Sequence, residues 1–156
     1  MKIAIASDHG AIDYKAPIIE DLKNNGYQVE DFGTDSKESC DYPDFALAVA
    51  ESIASGKNDC GILLCGTGIG MSLAANKVKG IRAAVVPNAD YGRLAREHNN
   101  AHIICLSGRF MTLDECIESI YAYLNAEFAG NNDDPSGKRH ANRIAKIKAI
   151  EEKYYK

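Results

Sequence analysis

The stretch that decides the fold is CGILLCGTGIGMSLAANKVKGIRAAVV, which runs from Cys60 to Val86. It contains an apolar run (60–65), a glycine-rich loop, a helical pattern that begins near Ser72, and a second apolar run (81–86). A strand, a helix and a second strand in this order form a parallel pair joined by a crossover helix. The stretch therefore predicts one β-α-β unit.

The same alternation extends from this unit toward both ends of the chain. Amphipathic helical patterns separate the apolar runs, and one of them begins with a capping box at Thr112 and Glu115. We therefore predict a doubly wound α/β fold, with a five-stranded parallel sheet, helices on both faces and a C-terminal helical arm. The predicted strands are Lys2–Ser7, Gln28–Phe32, Cys60–Cys65, Ile81–Val86 and His102–Leu106.

The chain divides into one domain and an appended segment. Residues 1–128 carry the alternating pattern of an α/β domain. The polar, turn-rich stretch AGNNDDPSG (129–137) predicts a linker, and the basic stretch 138–156 predicts a helix. Within the domain we assume the strand order 2-1-3-4-5, which places strands 1 and 3 side by side where the order reverses.

Composition excludes several classes of protein. The chain has 156 residues, of which 46% are hydrophobic and 26% charged, as in ordinary globular domains. A net charge of −4 argues against a nucleic-acid binder with a basic surface. Five cysteines without a CxxC pair suggest neither a disulfide framework nor a zinc site. With no signal peptide or long apolar run, we expect a cytoplasmic protein that binds neither membrane nor metal.

Two polar loops follow strands 1 and 3 and are expected to line one crevice. They are SDHG (7–10) and CGTGIG (65–70). The second loop offers backbone N–H groups that can hold an anion, although the glycines could equally serve a tight turn alone. A dinucleotide fingerprint fits poorly, because Met71 stands where its third glycine belongs.

Cys65 ends the third strand beside the start of a helix. A helix N-terminus favours the thiolate form of a cysteine, which would make this thiol reactive. The alternative is a small hydrophobic residue of the core, the commoner role of cysteine. The other strand and helix cysteines, Cys60, Cys105 and Cys116, are expected to be structural.

Other polar residues fall at strand and helix ends. Asp8 and His9 follow strand 1, where a helix cap and a surface histidine are the alternative to a site. His98 ends a helix, where the dipole favours histidine in any case. Arg139 and Arg143 share one helix face, which suits a phosphate but also an ordinary solvated surface.

Taken together, these loops resemble the ribose-5-phosphate isomerases of type B and the related galactose-6-phosphate isomerase subunits. The resemblance runs along essentially the whole chain, and its longest and most specific part is CGTGIGMSLAANKVKGIRAA. The motifs that carry it are SDHG (7–10), DYPDFA (41–46), residues 65–84, REHNNAHI (96–103), SGR (107–109) and RHANRI (139–144).

The resemblance implies isomerisation of an open-chain sugar phosphate through a cis-enediol, without a cofactor. It implies that Cys65 is the base, that Thr67 relays a proton between sugar oxygens, and that His98 opens the sugar ring with help from Asp8. Some relatives carry a glutamate base at the position of Met71, which cannot accept a proton. The implied substrate-binding residues are His9, Tyr42, Gly66, Gly68, Ile69, Gly70, Asn99, Arg109, Arg139 and Arg143.

The resemblance also implies assembly and leaves rivals open. In such isomerases each site is shared between two subunits, which implies a homodimer that can pair into a tetramer. We expect ribose 5-phosphate as substrate, with galactose 6-phosphate or allose 6-phosphate as alternatives. A rival of another class is a non-catalytic nucleotide- or flavin-binding module, which would hold phosphate on the glycine loop.

Overall fold

The computed structural model describes residues 1–155, so Lys156, the end of the expected arm, lies outside the described residues. Within this range the chain forms five strands, six α-helices and a short 3-10 segment at Ala129–Asn131. In chain order the elements are β1 (Lys2–Ser7), α1 (Ile12–Asn24), β2 (Gln28–Asp31), α2 (Tyr42–Ala54), β3 (Cys60–Cys65), α3 (Ile69–Ala75), β4 (Ala83–Val85), α4 (Ala89–Glu97), β5 (Ile103–Ser107), α5 (Leu113–Leu124) and α6 (Pro135–Tyr154).

All five strands of this range pair in parallel, which confirms the predicted α/β class. The spatial order is β2-β1-β3-β5-β4, so the assumed order 2-1-3-4-5 is wrong in its last two places. The reason is burial: all five residues of β5 are buried, whereas β4 is three residues long and only half-buried. A fully buried strand needs partners on both sides for its backbone groups, and a short, partly exposed strand suits an edge.

The sheet lies between two helical layers, each with its own core. On one face Ile3, Ile5 and Leu64 pack with residues of α1 and α5, such as Leu22 and Ile120. The predicted capping box of Thr112 and Glu115 is present at the start of α5. On the other face, the side chains of β3 and β5 pack against α2 and α3. The residues that α2 and α3 contribute to this second core include Ala46, Val49, Ala50, Met71 and Ala75.

The C-terminal helix begins earlier than its composition suggests. The predicted linker ends at Gly137, but α6 starts at Pro135. The Asp134 side chain caps the helix by accepting a hydrogen bond from the Gly137 N–H group at 2.7 Å. Asp and Pro at these two positions are helix-start signals that can be mistaken for a turn. In the described part of the chain, no helix is both long and apolar enough to cross a bilayer.

Candidate active site

The loops after β1 and β3 meet at the carboxyl edge of the sheet, as predicted. Ser7 pairs with Leu64, and the Asp8 N–H group donates to the Leu64 carbonyl at 3.0 Å. The two loops line an open cavity of about 390 Å³. Its walls are formed by Asp8, Tyr42, Cys65, Gly66, Thr67, Ile69, Gly70, Leu73 and Arg109.

The Cys65 thiol lies at the floor of this cavity and is 4% exposed. The Gly68 N–H group donates to its Sγ atom at 3.1 Å, and the Ile69 N–H group donates to Thr67 Oγ1 at 3.2 Å. The loop therefore uses its own amides to orient both the thiol and the hydroxyl. Gly68 has φ +81, and a Cβ added there would lie 2.9 Å from the Cys105 carbonyl oxygen. The loop conformation therefore requires glycine at this position.

The other cysteines of the strands and helices are buried thiols. Burial raises the pKa of the Cys60 and Cys116 thiols to about 11, and it raises the pKa of Cys105 as well. These thiols remain protonated at neutral pH, so the prediction that they are structural agrees with their surroundings. Met71, where a glutamate base would stand in some relatives, is fully buried in the core between α2 and α3.

Asp8 lines the cavity, and His9 follows it on the same loop. Asp8 is 7% exposed, and its Oδ1 atom accepts from the Gly10 N–H group at 2.8 Å. The His9 side chain is exposed, and its Nδ1 atom accepts from the Cys40 N–H group at 3.2 Å. An Nδ1 atom that accepts leaves the proton of the neutral ring on Nε2. His9 can therefore offer an N–H donor to an anion that binds beside this loop.

Arg109 and Tyr42 cover the glycine loop from two sides. A Cβ added at Gly66 would lie 3.4 Å from the guanidinium carbon of Arg109. A Cβ added at Gly70 would lie 2.5 Å from the ring of Tyr42, so the ring packs directly on the loop. Arg109 places a positive charge beside the loop, and Tyr42 places a phenol there. Both groups suit a phosphorylated, hydroxyl-rich ligand.

Ser107 connects the Arg109 turn to the glycine loop, and sequence reasoning assigned it no role. Its Oγ atom donates to the Gly66 carbonyl at 2.6 Å and accepts from the Phe110 N–H group at 2.8 Å. The Arg109 N–H group also donates to the Gly66 carbonyl, at 3.1 Å. The place of Ser107 in the SGR motif (107–109) was the sequence signal that could have indicated this role.

A second group of predicted residues lies at the opposite edge of the sheet. His98 ends α4, which returns from the carboxyl end of β4 to the start of β5. In the ladder between β3 and β5, Gly61 pairs with Ile103 and Cys65 pairs with Ser107. Four steps of about 3.3 Å separate these levels, roughly 13 Å along the strands. His98 and Asn99 of one chain therefore do not share a crevice with Cys65 of that chain.

The C-terminal helix adds its residues to this second group. The ring of His140 in α6 stacks on the ring of His98, with 4.3 Å between centroids and an angle of 15° between planes. Arg139 and Arg143 flank His140 on the same helix. Sequence reasoning quoted the RHANRI motif but gave His140 no role. The candidate site residues thus form two groups, which are separated by the length of the sheet.

Arg82 supports the turn that contains His98 and Asn99, and the sequence analysis did not single it out. Its Nε atom donates to the Asn99 carbonyl at 3.0 Å, and its Nη2 atom donates to the Asn100 carbonyl at 2.9 Å. Asn100 has φ +43, in the left-handed region, so this turn needs outside support. An arginine inside an apolar strand pattern was the signal that could have indicated it.

His102 lies below the same turn. Its Nδ1 atom accepts from the Arg82 N–H group at 3.0 Å. Burial, together with the nearby Arg82 and Arg96, lowers the pKa of His102 to about 4. The ring is neutral at pH 7, as expected for a residue at the start of a strand. Among residues 1–155, no cluster of three or more His, Cys, Asp or Glu side chains could hold a metal ion.

Comparisons with known proteins agree with this geometry. The model of the family described as Ribose/Galactose Isomerase matches residues 3–147. The chain is 39% identical over 152 residues to ribose-5-phosphate isomerase B of Escherichia coli K12, covering 97% of each chain.

Two solved structures are similar over nearly their whole length. Ribose-5-phosphate isomerase B of Clostridium thermocellum has a TM-score of 0.92 and 51% identity, covering 99% of each chain. The enzyme of Mycoplasma genitalium with bound ribulose 5-phosphate has a TM-score of 0.88 and 43% identity, covering 97% of this chain and 96% of that one. The matched fold, the length of the match and the identity together show that this chain belongs to the ribose/galactose isomerase family.

Proposed function

We propose that this protein interconverts ribose 5-phosphate and ribulose 5-phosphate through a cis-enediol intermediate. The observation that carries the proposal is the Cys65 thiol, held by a loop amide in a cavity that also presents Thr67 and Arg109. Moving a proton between two carbons beside a carbonyl needs a base and a stabilised oxyanion. The cavity contains groups that can serve as the base and groups that can stabilise the oxyanion.

The proton transfer itself requires few groups. The Cys65 thiolate takes the proton from C2 of the open-chain aldose and returns it to C1. The negative charge that develops on the carbonyl oxygen is stabilised by backbone amides between Gly66 and Gly70. Thr67 passes the hydroxyl proton from O2 to O1. Nothing is oxidised or reduced overall, because hydrogen only moves between neighbouring carbon and oxygen atoms of the sugar.

Ring opening precedes this step, because ribose 5-phosphate is mainly a furanose. The bond between the anomeric carbon and the ring oxygen breaks, and the anomeric carbon keeps a carbonyl. In the proposed mechanism the ring oxygen takes a proton from His98, and the anomeric hydroxyl gives its proton to Asp8. His9, Arg109, Arg139 and Arg143 bind the phosphate.

We further propose that two copies of the chain complete each site. The carboxyl-edge group around Cys65 and the amino-edge group around His98 are roughly 13 Å apart along the strands. Around the cavity, Ile69, Leu73 and Phe110 are 54%, 62% and 76% exposed, an apolar surface that a second subunit would cover. A homodimer that brings together opposite edges of its two sheets supplies both groups to one sugar phosphate.

The proposed compartment is the cytoplasm. The mechanism needs the Cys65 sulfur as a free thiolate, and thiols stay reduced in the cytosol. Four of the five cysteines, including Cys65, are buried as free thiols.

A side-by-side isomerase assay tests the substrate. Purified protein is given ribose 5-phosphate, allose 6-phosphate and galactose 6-phosphate, and kcat/KM is measured for each. We expect the highest value for ribose 5-phosphate. A higher value for a six-carbon substrate would assign the protein to that reaction. No turnover of any of the three, together with a thermal shift on adding FMN or ATP, would favour the binding-module alternative.

A further inference from the structure

His140, which stacks on His98 at the end of α4, has no part in the proposed reaction steps. His140 is 5% exposed, and its ring lies nearly parallel to that of His98 at 4.3 Å. One ring belongs to the C-terminal cap of α4, and the other to the second turn of α6. The stack is therefore a contact between two elements that are distant in the chain.

Electrostatic repulsion limits how many protons the two stacked rings can carry. Two imidazolium ions at this distance repel each other strongly, so the pair can hold one proton easily and a second only with difficulty. The charged groups that face the pair are Glu97 on α4 and Arg139 and Arg143 on α6. Glu97 Oε1 lies 3.7 Å from His98 Nε2, whereas the two arginines belong to the helix of His140.

The surroundings of the two rings are therefore unequal. The carboxylate of Glu97 and the negative end of α4 both attract a positive charge on His98. Burial lowers the pKa of His140, and the proximity of His98, Arg139 and Arg143 lowers it further, with Glu97 acting in the opposite sense. These surroundings favour a neutral ring on α6.

We infer that His140 is a positioning residue for His98: its neutral ring lies flat on the His98 imidazole and fixes the plane in which that imidazole meets the ring oxygen of a cyclic sugar phosphate. The inference rests on the proposed role of His98 in ring opening. Neutrality matters as well, because a protonated His140 would compete with His98 for the proton that ring opening needs. The stack also places Arg139 and Arg143 beside the reacting end of the same half-site.

Two variants distinguish the effect of a flat ring at position 140 from the effect of an imidazole. His140→Ala removes the stacking surface, and His140→Phe keeps a flat aromatic ring of similar size that cannot take a proton. Each is assayed with ribose 5-phosphate and, in the reverse direction, with ribulose 5-phosphate. Ribulose 5-phosphate cannot close to a furanose because its C5 oxygen carries the phosphate. The reverse reaction therefore starts without a ring to open.

We expect His140→Ala to lower kcat for ribose 5-phosphate, measured at saturating substrate, by about tenfold to a hundredfold, because a misplaced acid loses that much. The kcat with saturating ribulose 5-phosphate should fall far less. His140→Phe should restore most of the forward rate. Equal losses of the forward and reverse rates in His140→Ala, or a forward rate as low in His140→Phe as in His140→Ala, would overturn the inference.

His98→Asn distinguishes a failure of this inference from a failure of the proposed function. It should show the same loss confined to the forward direction, and more strongly. If His98→Asn has that loss and His140→Ala behaves like the wild type, His140 does not position His98. If His98→Asn keeps the wild-type rate in both directions, the proposed ring-opening role is wrong, and the inference is wrong with it.

A measurement on the unaltered protein covers the case in which His140→Ala does not fold. The ring resonances of both histidines are followed by NMR between pH 8 and pH 4, with His140→Phe used to assign them. We expect the pKa of the His140 ring to lie below the ordinary value of a histidine. A pKa at or above that value would mean that His140 takes up a proton that ring opening needs, and it would overturn the inference.

Discussion

Cys65 differs from the other buried cysteines in the kind of hydrogen bond that its sulfur makes. Its Sγ atom accepts from the Gly68 N–H group, whereas the Sγ atoms of Cys60 and Cys116 donate, to Met1 Sδ and to the Ser107 carbonyl. Sequence alone left two roles open for this thiol, because a cysteine at a strand end can be core or catalyst. The structure gives it a backbone donor and an open cavity, which are the conditions that a thiolate base needs.

Replacing this thiol tests its role directly. Cys65→Ala should lower kcat by roughly 10²–10⁴, the usual contribution of a positioned base, and should change KM little. The matched control is Cys105→Ala, because Cys105 lies on the neighbouring strand in the same core. It should keep its kcat while losing some stability. Steady-state kinetics on folded proteins measure both, and a near-normal kcat in Cys65→Ala would refute the assignment.

His102 makes stability depend on pH. Its pKa is lowered from 6.5 to about 4, first by burial and then by Arg82 and Arg96. Between these two values the unfolded chain binds a proton that the native protein does not. The free energy of unfolding therefore falls as the pH falls through this window. His102→Asn, which keeps an acceptor for the Arg82 N–H group, should weaken that dependence.

Urea unfolding at several pH values between about 7 and 4 measures the effect of His102. The wild type should lose more stability across the window than His102→Asn. Because the other titrating groups are the same in both proteins, the difference between their slopes reports His102. Parallel slopes would show that His102 takes up its proton equally in the folded and unfolded states.

At the scale of elements, the turn between β3 and α3 carries both fold and chemistry. Gly68 adopts φ +81 against the Cys105 backbone and donates its N–H group to Cys65. Close packing on β5 and orientation of the thiol therefore depend on the same residue. Sequence reasoning could not decide between a structural and a functional glycine here; the geometry gives this position both a close approach to Cys105 and the N–H donor to Cys65.

Gly68→Ala should therefore lose stability and activity together. The matched control is Gly26→Ala, because Gly26 has a similar φ of +88 but has no atom within 4 Å of an added Cβ. Each change costs about 1–2 kcal/mol for a side chain in the left-handed region. Gly68→Ala adds a clash with Cys105 and should lower kcat by about tenfold or more, since the N–H group moves away from the thiol.

Thermal or urea unfolding together with kcat measures both effects for the two glycine variants. Gly26→Ala should keep the wild-type kcat, since Gly26 follows α1 at the other edge of the sheet. If Gly68→Ala also keeps the wild-type kcat after folding, the Gly68 N–H group does not contribute to catalysis.

At the scale of the whole molecule, the sheet separates two groups of candidate site residues. The carboxyl edge holds Cys65, Thr67 and Arg109, while the amino edge holds His98 with the arginines of α6. The residues at the two edges cannot meet within one chain, because the intact sheet holds them apart. The proposed homodimer closes this gap through symmetry, because each subunit offers its amino edge to the carboxyl edge of the other.

Mixing two inactive proteins tests the shared site. Cys65→Ala and the double variant Arg139→Ala/Arg143→Ala are dissociated together and allowed to reassociate. In a hybrid dimer with shared sites, one site receives both defects and the other receives none. Activity should therefore return to as much as about half of the wild type per hybrid dimer.

The control for this experiment mixes Cys65→Ala with Thr67→Ala. Both changes lie in the same half-site, so every hybrid site keeps one defect and no full site forms. Subunit exchange is confirmed independently, for example with tagged chains. If exchange occurs and the arginine double variant gives no more activity than this control, α6 serves the site of its own chain.

Family and fold class could be predicted from the sequence because both depend on local patterns. The alternation of apolar runs with amphipathic helices gave the α/β class, and the motif at 65–84 gave the family. Strand 5 could also have been placed centrally, because strands 1, 3 and 5 are the nearly continuous apolar runs. That signal was present but was not used, and β4 was wrongly placed inside the sheet.

What the sequence determined by itself is what neighbouring residues decide: which segments form strands, the capping box at Thr112, the glycine loop and the set of candidate site residues. What only the tertiary structure decided depends on residues far apart in the chain. The order of β5 and β4, the division of the candidate site between two edges of the sheet and the stack of His140 on His98 are of this kind. The physical reason is that strand order and helix docking are set by which buried surfaces fit together, and no local spacing encodes that fit.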